Sequence, residues 1–222
     1  MTSGLEIRRL HLASLRGPDQ REWPVHGFVV IHPKGAILVD TGVGGPDRVL
    51  TDWRVVNRTA AEALGDHDLV PGDIAFVVNT HLHFDHCGQN AVFKHAPFYI
   101  QRVELDRARR EAPWLTDWFD FAGARFELMD GDAEVLPGVR VVATPGHTSG
   151  HQSVVIEGDG QELLIGDAAY TPAIYERPGA DADELPPGQS RDHDAWSSSL
   201  RRLRDARPRH VHFCHHTHVV HG

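Results

Sequence analysis

The sequence predicts an α/β protein in which two β-sheets pack together and helices cover them. Short apolar segments with strand character recur in both halves of the chain, and helical segments lie between them. Four of the strands, at residues 74–78, 139–143, 163–165 and 211–213, each lead into histidine or aspartate clusters. We find no repeat of fixed period, no low-complexity segment and no dividing linker, so residues 1–222 are expected to form a single domain.

Local pattern and turn residues place the elements of the first half. Residues 28–31 and 36–39 are apolar and are joined by a Pro-Lys-Gly turn, so a hairpin is expected to open the domain. Residues 58–64 predict a helix that ends at a glycine. Residues 74–78 form the next strand, and polar residues replace the apolar pattern abruptly after it. Such a change is typical of a strand that ends in a functional loop.

The second half continues with the same kinds of element. Strands or hairpin arms are predicted at residues 98–100, 135–142, 153–156 and 162–165, helices at 102–110 and 194–205, and the last strand at 211–213. Residues 113–126 are rich in aromatic side chains, which suit either a lipid-chain pocket or a dimer contact. Residues 172–189 are rich in proline, glycine and acids and predict a long surface loop.

Composition excludes several classes of function. With 41% hydrophobic and 24% charged residues, the chain has the balance of a globular protein. A formal net charge of −9 disfavours nucleic acid as a partner, and no apolar run has the length of a membrane span or signal peptide. Two distant cysteines fit a reducing compartment, so a cytoplasmic protein without membrane association is expected. The exceptional number is 17 histidines, the side chain that most often binds metals.

The densest histidine cluster is His81-x-His83-x-Asp85-His86, with four candidate ligands in six residues. In a tight loop, this spacing lets the side chains face two neighbouring ions. Imidazole and carboxylate groups together suit zinc, iron, cobalt or manganese. The alternative interpretation is a solvated loop that happens to be rich in histidine.

Three further candidate ligands, His147, Asp167 and His215, lie where apolar strands end. A carboxylate at Asp167 can bridge two cations by giving one oxygen to each, although an aspartate in this context can also cap a helix or a turn. The late strand end favours His215 by geometry, and His216 is its chief rival.

The sequence predicts the roles of the other histidines less specifically. His151 is expected to orient its neighbours through hydrogen bonds, with ligand and surface roles left open. His218 and His221 are expected to be exposed. The remaining scattered histidines receive no role, because an isolated histidine is more often a surface or core residue than a ligand.

Taken together, these motifs, preceded by Val39-Asp40-Thr41-Gly42, resemble the metallo-β-lactamase superfamily over roughly residues 25–216. The resemblance implies a four-layer αββα sandwich with two divalent metal ions, expected to be zinc, at one edge of the sheets. It also implies which residues hold each ion. His81, His83 and His147 would hold the first, Asp85, His86 and His215 the second, and Asp167 would bridge them. Asp40 resembles the family's buried aspartate that supports the site without binding metal.

Within the superfamily, the segments Gly131-Asp132-Ala-Glu-Val-Leu-Pro-Gly-Val139 and Asp167-Ala-Ala-Tyr170-Thr171 look most like the N-acyl homoserine lactone lactonases. In those enzymes a tyrosine three positions after the bridging aspartate hydrogen-bonds the substrate, and the alternative for Tyr170 is a packed aromatic. The implied reaction is opening of the lactone ring by a hydroxide between the two ions. The implied catalytic residues are Asp167, Tyr170 and Asp85, with Tyr170 stabilising the oxyanion and Asp167 passing a proton to the leaving group.

Other functions are compatible with the same motifs. A hydrolase of this fold can act on a thioester, as glyoxalase II does, or on a simple lactone or phosphoester, and a non-catalytic metal-binding protein is a further alternative. A small-molecule lactone is the expected partner, and the protein is expected to be a monomer or a homodimer. Cys87 and Cys214 are expected to be buried, reduced neighbours of the second ion and not ligands.

Overall fold

Two β-sheets form the centre of the protein, which a computed structural model describes for residues 5–17 and 20–221. The strands of the first sheet are β1 (Glu6–Arg16), β2 (Glu22–Ile31), β3 (Ala36–Val39), β4 (Val56–Asn57), β5 (Ile74–Val78), β6 (Phe98–Gln101) and β7 (Phe126–Met129). Their spatial order is β4-β1-β2-β3-β5-β6-β7. The pairs β4–β1, β1–β2 and β2–β3 are antiparallel. The pairs β3–β5, β5–β6 and β6–β7 are parallel.

The second sheet contains β8 (Ala133–Leu136), β9 (Val139–Ala143), β10 (Gln152–Gly158), β11 (Gly160–Leu164), β12 (His210–His212) and β13 (Val220–His221). Its spatial order is β13-β12-β11-β10-β9-β8. The pair β11 and β12 is parallel, and helical chain supplies the crossover connection that a parallel pair requires; the other pairs are antiparallel.

The helices lie between the strands in sequence. They are α1 (Asp47–Asp52), α2 (Ala60–Gly65), α3 (Arg102–Glu111), α4 (Thr116–Phe119), α5 (Pro172–Tyr175) and α6 (His193–Asp205). Short 3-10 turns occur at Pro71–Asp73, Asn90–Phe93, Pro113–Leu115, Gly166–Ala168 and Ala182–Glu184. Side-chain caps begin α2 at Thr59 and α6 at Asp192, where each side chain accepts a backbone N–H of the first turn. Across the described residues, none of these helices has the length and apolar composition to cross a membrane.

Alternation along the strands builds three apolar layers. Phe28 and Val30 of β2 face the other sheet and meet Val141 and Val154, whereas Val29 faces outward. Helix α2 packs on the outer face of the first sheet, and α6 packs on the outer face of the second through Trp196. The order of layers is therefore helix, sheet, sheet, helix, which confirms the predicted α/β sandwich.

Several sequence predictions of individual elements are wrong. The predicted hairpin of residues 28–31 and 36–39 is present as β2 and β3, but it does not open the domain, because β1 precedes it and pairs with β2; β1 was not predicted. The last strand is not 211–213, because β13 follows β12 and pairs with it. Residues 172–189 are not only surface loop: they contain α5 and a 3-10 turn, and Ile174 and Tyr175 pack into the core under α6.

Candidate active site

Four strands of the two sheets deliver the candidate ligands to one edge of the sandwich. Strand β5 leads into residues 79–86, and β9, β11 and β12 of the second sheet lead to His147, Asp167 and His215. The structure brings all seven predicted ligand residues together there, in two adjacent groups.

The first group contains three histidines and one aspartate oxygen. His81 Nε2 lies 2.9 Å from His83 Nδ1 and 3.1 Å from His147 Nε2, and the last two nitrogens are 3.0 Å apart. Asp167 Oδ2 lies 3.3 Å from His147 Nε2 and 3.7 Å from His81 Nε2. Tetrahedral coordination at bonds of about 2.0–2.1 Å places ligand nitrogens about 3.3 Å apart. The three nitrogens therefore fit one cation.

The second group uses the other oxygen of the same aspartate. Asp167 Oδ1 lies 3.2 Å from His215 Nε2 and 3.3 Å from His86 Nε2. Asp85 Oδ2 lies 3.6 Å and 3.7 Å from these same nitrogens. His86 Nε2 and Asp167 Oδ1 are buried polar atoms without a hydrogen-bond partner within the described residues, which is the state expected of metal ligands. Asp167 thus stands between the two groups.

Protonation favours cation binding in the first group. Burial and the neighbouring imidazoles lower the pKa of His81 and His83 well below the usual value, so both rings are neutral and can offer a lone pair. Burial alone would also lower the pKa of His86, but Asp167, Asp85 and Asp40 outweigh it and raise the pKa well above its usual range. The second group therefore already attracts positive charge.

Hydrogen bonds behind the ligands fix their rings. Asp40 Oδ2 accepts from His86 Nδ1 at 2.8 Å, and the other oxygen accepts the Thr80 N–H at 2.8 Å. The backbone of Asp40 has φ 60°, a left-handed conformation that aspartate tolerates. His215 Nδ1 donates to the Pro24 carbonyl at 2.9 Å. Each ring consequently turns its Nε2 toward Asp167.

His151 contacts the backbone of Asp167 instead of joining either ligand group. Its Nε2 accepts the Asp167 N–H at 2.9 Å, and its Nδ1 lies 2.8 Å from the Thr144 hydroxyl. Burial lowers the pKa of His151 to about 3, so the ring stays neutral. A Cβ on Gly166 would lie 2.7 Å from this Nε2, so the close approach requires glycine.

Gln189 is a supporting residue that sequence analysis missed. Its side chain is fully buried; Nε2 donates to the Asp167 carbonyl at 2.7 Å, and Oε1 accepts the Tyr170 N–H at 2.9 Å. The end of the 172–189 segment thus holds the backbone between the shared aspartate and Tyr170. A glutamine in a proline- and glycine-rich stretch carries no local signal of this role.

The other predicted neighbours of the site are placed as follows. His216 lies outside both ligand groups, and its Nδ1 accepts the His218 N–H at 3.0 Å. His218 and His221 are exposed, as predicted. Both cysteines are buried and free. Burial raises the pKa of Cys214 to about 12, and its sulfur lies 4.0 Å from the carboxylate of Asp40, so the thiol stays protonated.

A cavity of about 630 Å³ opens above the two groups. Its floor is polar and includes His83, Asp85, His147, Asp167, Tyr170 and His215. Its walls are mainly apolar and include Leu15, Trp23, Trp53, Phe84, Trp114 and Leu115. This volume is that of a small-molecule site.

The aromatic stretch at 113–126 contributes less to the cavity than expected. Of its aromatic residues, only Trp114 lines the cavity, whereas Phe119 is buried in the core beside α3 and Trp118 packs against that core. Trp23 and Trp53 come from distant parts of the chain and were not predicted. No periodic pattern links them, so only the folded chain shows that they share a wall.

Tyr170 lies edge-on over both ligand groups. Its ring centroid is 5.7 Å from that of His147 in the first group and 5.3 Å from that of His215 in the second. Burial and the charges of Asp167 and Asp85 raise its pKa well above the usual value. The hydroxyl therefore keeps its proton and can donate a hydrogen bond within the cavity that Tyr170 lines.

The paired sheets with this edge cluster define a metal-dependent hydrolase of the αββα class. The chain belongs to the metallo-β-lactamase superfamily, whose family model matches residues 21–215. It is 33% identical to the N-acyl homoserine lactonase of Bacillus cereus over 199 residues, which cover 82% of this chain and 76% of the relative.

Solved structures show the same relationship. A quorum-quenching N-acyl homoserine lactone lactonase superposes with a TM-score of 0.80 at 27% identity, covering 97% of this chain and 93% of that one. A second, an N-acyl homoserine lactone hydrolase solved with the product N-hexanoyl-L-homoserine bound at its catalytic metal center, has a TM-score of 0.75 at 26% identity. That comparison covers 95% of this chain and 92% of the other.

Proposed function

We propose that this protein hydrolyses the lactone ring of N-acyl homoserine lactones. The observation that carries the proposal is the position of Tyr170, whose ring stands edge-on to a histidine of each ligand group and lines the floor of a cavity with apolar walls. The names of the related lactonases support the same substrate class. A substrate of this class has a polar ring and an apolar chain, and the cavity has a polar floor and apolar walls.

We further propose that the site holds two divalent ions, with zinc expected and iron, cobalt or manganese as alternatives. His81, His83 and His147 would hold one ion, Asp85, His86 and His215 the other, and Asp167 would give one oxygen to each. A pair of such ions lowers the pKa of water and polarises a carbonyl. This chemistry removes the need for a nucleophilic side chain.

The residues of the chain then have separate tasks in the reaction. The Tyr170 hydroxyl donates a hydrogen bond to the lactone carbonyl oxygen, where negative charge develops. Asp167 accepts a proton from the attacking water and passes it to the ring oxygen as the C–O bond breaks. Asp85 contributes its carboxylate to the second ligand group, with Oδ2 3.6 Å from His215 Nε2 and 3.7 Å from His86 Nε2. The product is the ring-opened N-acyl homoserine.

Apolar contacts would hold the acyl chain. Trp53 and Phe84 form a tilted aromatic pair with ring centroids 5.7 Å apart, and both line the cavity. Trp23 stands edge-on to Tyr170, with centroids 5.7 Å apart. An acyl chain that leaves the ring at Tyr170 would therefore meet indole and phenyl surface first.

The test is a substrate panel with protein of measured metal content. N-acyl homoserine lactones of several chain lengths, simple lactones, S-lactoylglutathione and a phosphoester are compared by the pH-indicator method and by mass spectrometry of products. We expect ring opening of the acyl homoserine lactones, lost after chelation and restored by metal. Turnover confined to the thioester, simple lactones or phosphoester would replace the proposed substrate class, and metal binding without any turnover would favour a non-catalytic role.

A further inference from the structure

A fully buried carboxylate next to the candidate metal centre has no part in the proposed reaction. Glu104 lies in the first turn of α3 and is 0% exposed, and its neighbour Arg107 is 3% exposed. Burying an ionised carboxylate is costly unless charged and hydrogen-bonding partners surround it. The identity of those partners therefore indicates what the residue does.

Each oxygen of Glu104 accepts a hydrogen bond from a different ligand-bearing segment. Oε1 accepts the Leu82 N–H at 2.9 Å, and Leu82 stands between His81 and His83. Oε2 accepts from the Thr148 hydroxyl at 2.7 Å, and Thr148 directly follows the third histidine of the first group. One carboxylate thus joins the two segments that carry all three nitrogens of that group.

Arg107 balances the charge of this carboxylate. Its guanidinium donates to Oε1 at 2.5 Å and to Oε2 at 3.2 Å. Burial alone would lower the pKa of Arg107, but Glu104 outweighs it, so the pKa is raised and the cation persists. Glu111 lies 3.7 Å from the same guanidinium and also pairs with Arg191 at 2.5 Å.

The helix also packs directly on the second of the two segments. A Cβ on Gly150 would lie 2.4 Å from the Glu104 backbone nitrogen, so no side chain separates α3 from this loop. The two segments follow strands of different sheets, β5 and β9, and at their bases the Gln152 N–H donates to the Thr80 carbonyl at 2.9 Å. Glu104 supplies a second connection, farther along both segments.

We propose that Glu104 is a positioning residue that holds the His81–His83 segment and the His147 segment in register, so that their three nitrogens converge on one cation. The proposal rests on the proposed metal centre and deepens it. Outer partners of metal ligands typically contribute about 10- to 100-fold to metal affinity. Because the hydrogen bonds of Glu104 reach Leu82 and Thr148, which directly adjoin the three histidines of the first group, the main effect is expected on the ion held by that group.

The experiment measures release of zinc from the fully loaded protein into a chromophoric chelator, together with the thermal unfolding temperature. Glu104→Asp keeps the charge opposite Arg107 but is one methylene too short to reach both segments. The double variant Glu104→Met/Arg107→Met replaces the buried pair by apolar groups of similar size, a change that folded proteins often tolerate. Glu111→Gln is the matched control, because it alters the same arginine's surroundings and leaves Glu104 in place. Leu64→Ala, in the distant helix α2, is the control for general destabilisation.

We expect one of the two zinc ions to leave about 10- to 100-fold faster in both Glu104 variants, with the second ion and both controls close to wild type. Wild-type release rates in both Glu104 variants would overturn the proposal. So would acceleration that Leu64→Ala reproduces at an equal loss of unfolding temperature, because the role would then be structural only. A wild-type protein that binds no zinc would instead overturn the proposed metal centre, and no lactone is needed to see the difference.

Discussion

Replacing Gln189 by leucine removes one buried and one partly buried hydrogen bond that hold the backbone between Asp167 and Tyr170. The Gln189 side-chain amide donates to the Asp167 carbonyl at 2.7 Å and accepts from the Tyr170 N–H at 2.9 Å. Leucine fills a similar space without polar atoms, so both backbone groups lose their partner. A buried polar group without a hydrogen-bond partner costs about 1–3 kcal/mol. The Tyr170 N–H is only partly buried, so water can replace its partner more easily than that of the Asp167 carbonyl. We therefore expect a total loss of about 3 kcal/mol in the free energy of unfolding.

Thermal unfolding at fixed metal content measures this loss. For a chain of this length, 1 kcal/mol corresponds to about 2–4 °C in Tm, so the expected decrease is roughly 6–12 °C. Gln161→Leu makes the same substitution at a partly exposed position of β11 and should shift Tm by no more than about 2 °C. Turnover should fall as well in the Gln189 variant, because the shared aspartate loses its backbone anchor. Equal Tm values for the two variants would refute the reasoning.

Three other perturbations test separate parts of the account. Tyr170→Phe should lower kcat by about 10²-fold through loss of one oxyanion donor, and Asp167→Asn should lower it much further; small, equal losses in a ring-opening assay would remove the proposed mechanism. Burial lowers the pKa of His26 to about 4 in the folded protein, whereas in the unfolded chain the same imidazole is protonated below about pH 6.5. The free energy of unfolding is therefore unaffected by His26 above pH 6.5 and falls by about 3 kcal/mol in total as the pH decreases to 4. An NMR titration in which the His26 ring protonates near pH 6.5 would contradict it. Gly146→Ala should destabilise by about 2–5 kcal/mol in denaturant unfolding, because a Cβ would lie 2.2 Å from the Trp196 backbone at φ +138°. Gly72→Ala, with open space around the Cβ, is the tolerant control.

The sequence was sufficient to locate the candidate ligands because each one follows a strand that is strongly apolar. Such strands cross the centre of a sandwich, and their polar ends must emerge at its edges. The sequence was insufficient for β1, where Arg8 and Arg9 stand among the strand residues and a register shift between His11 and Ala13 breaks the alternation. The segment forms a strand because it pairs with β2 along its length, and this pairing depends on the assembled sheet.

The supporting residues and the cavity walls were beyond sequence reasoning for a different physical reason. Glu104 and Gln189 are polar residues in segments whose composition suggests exposure, and tertiary packing buries both. Trp23, Trp53 and Phe84 belong to three separate segments that meet only when the sheets assemble. Local periodicity records which face of an element is buried, and it does not record which distant segment covers that face.

Crystals of the zinc-loaded protein grown with a ring-opened N-acyl homoserine would test the central claim most directly, with anomalous scattering recorded at the zinc edge. The account predicts two anomalous peaks, one among His81, His83 and His147 and one among Asp85, His86 and His215. The Asp167 carboxylate would lie between them, and the product would lie against Tyr170. A single peak, or two peaks without Asp167 between them, would contradict the account.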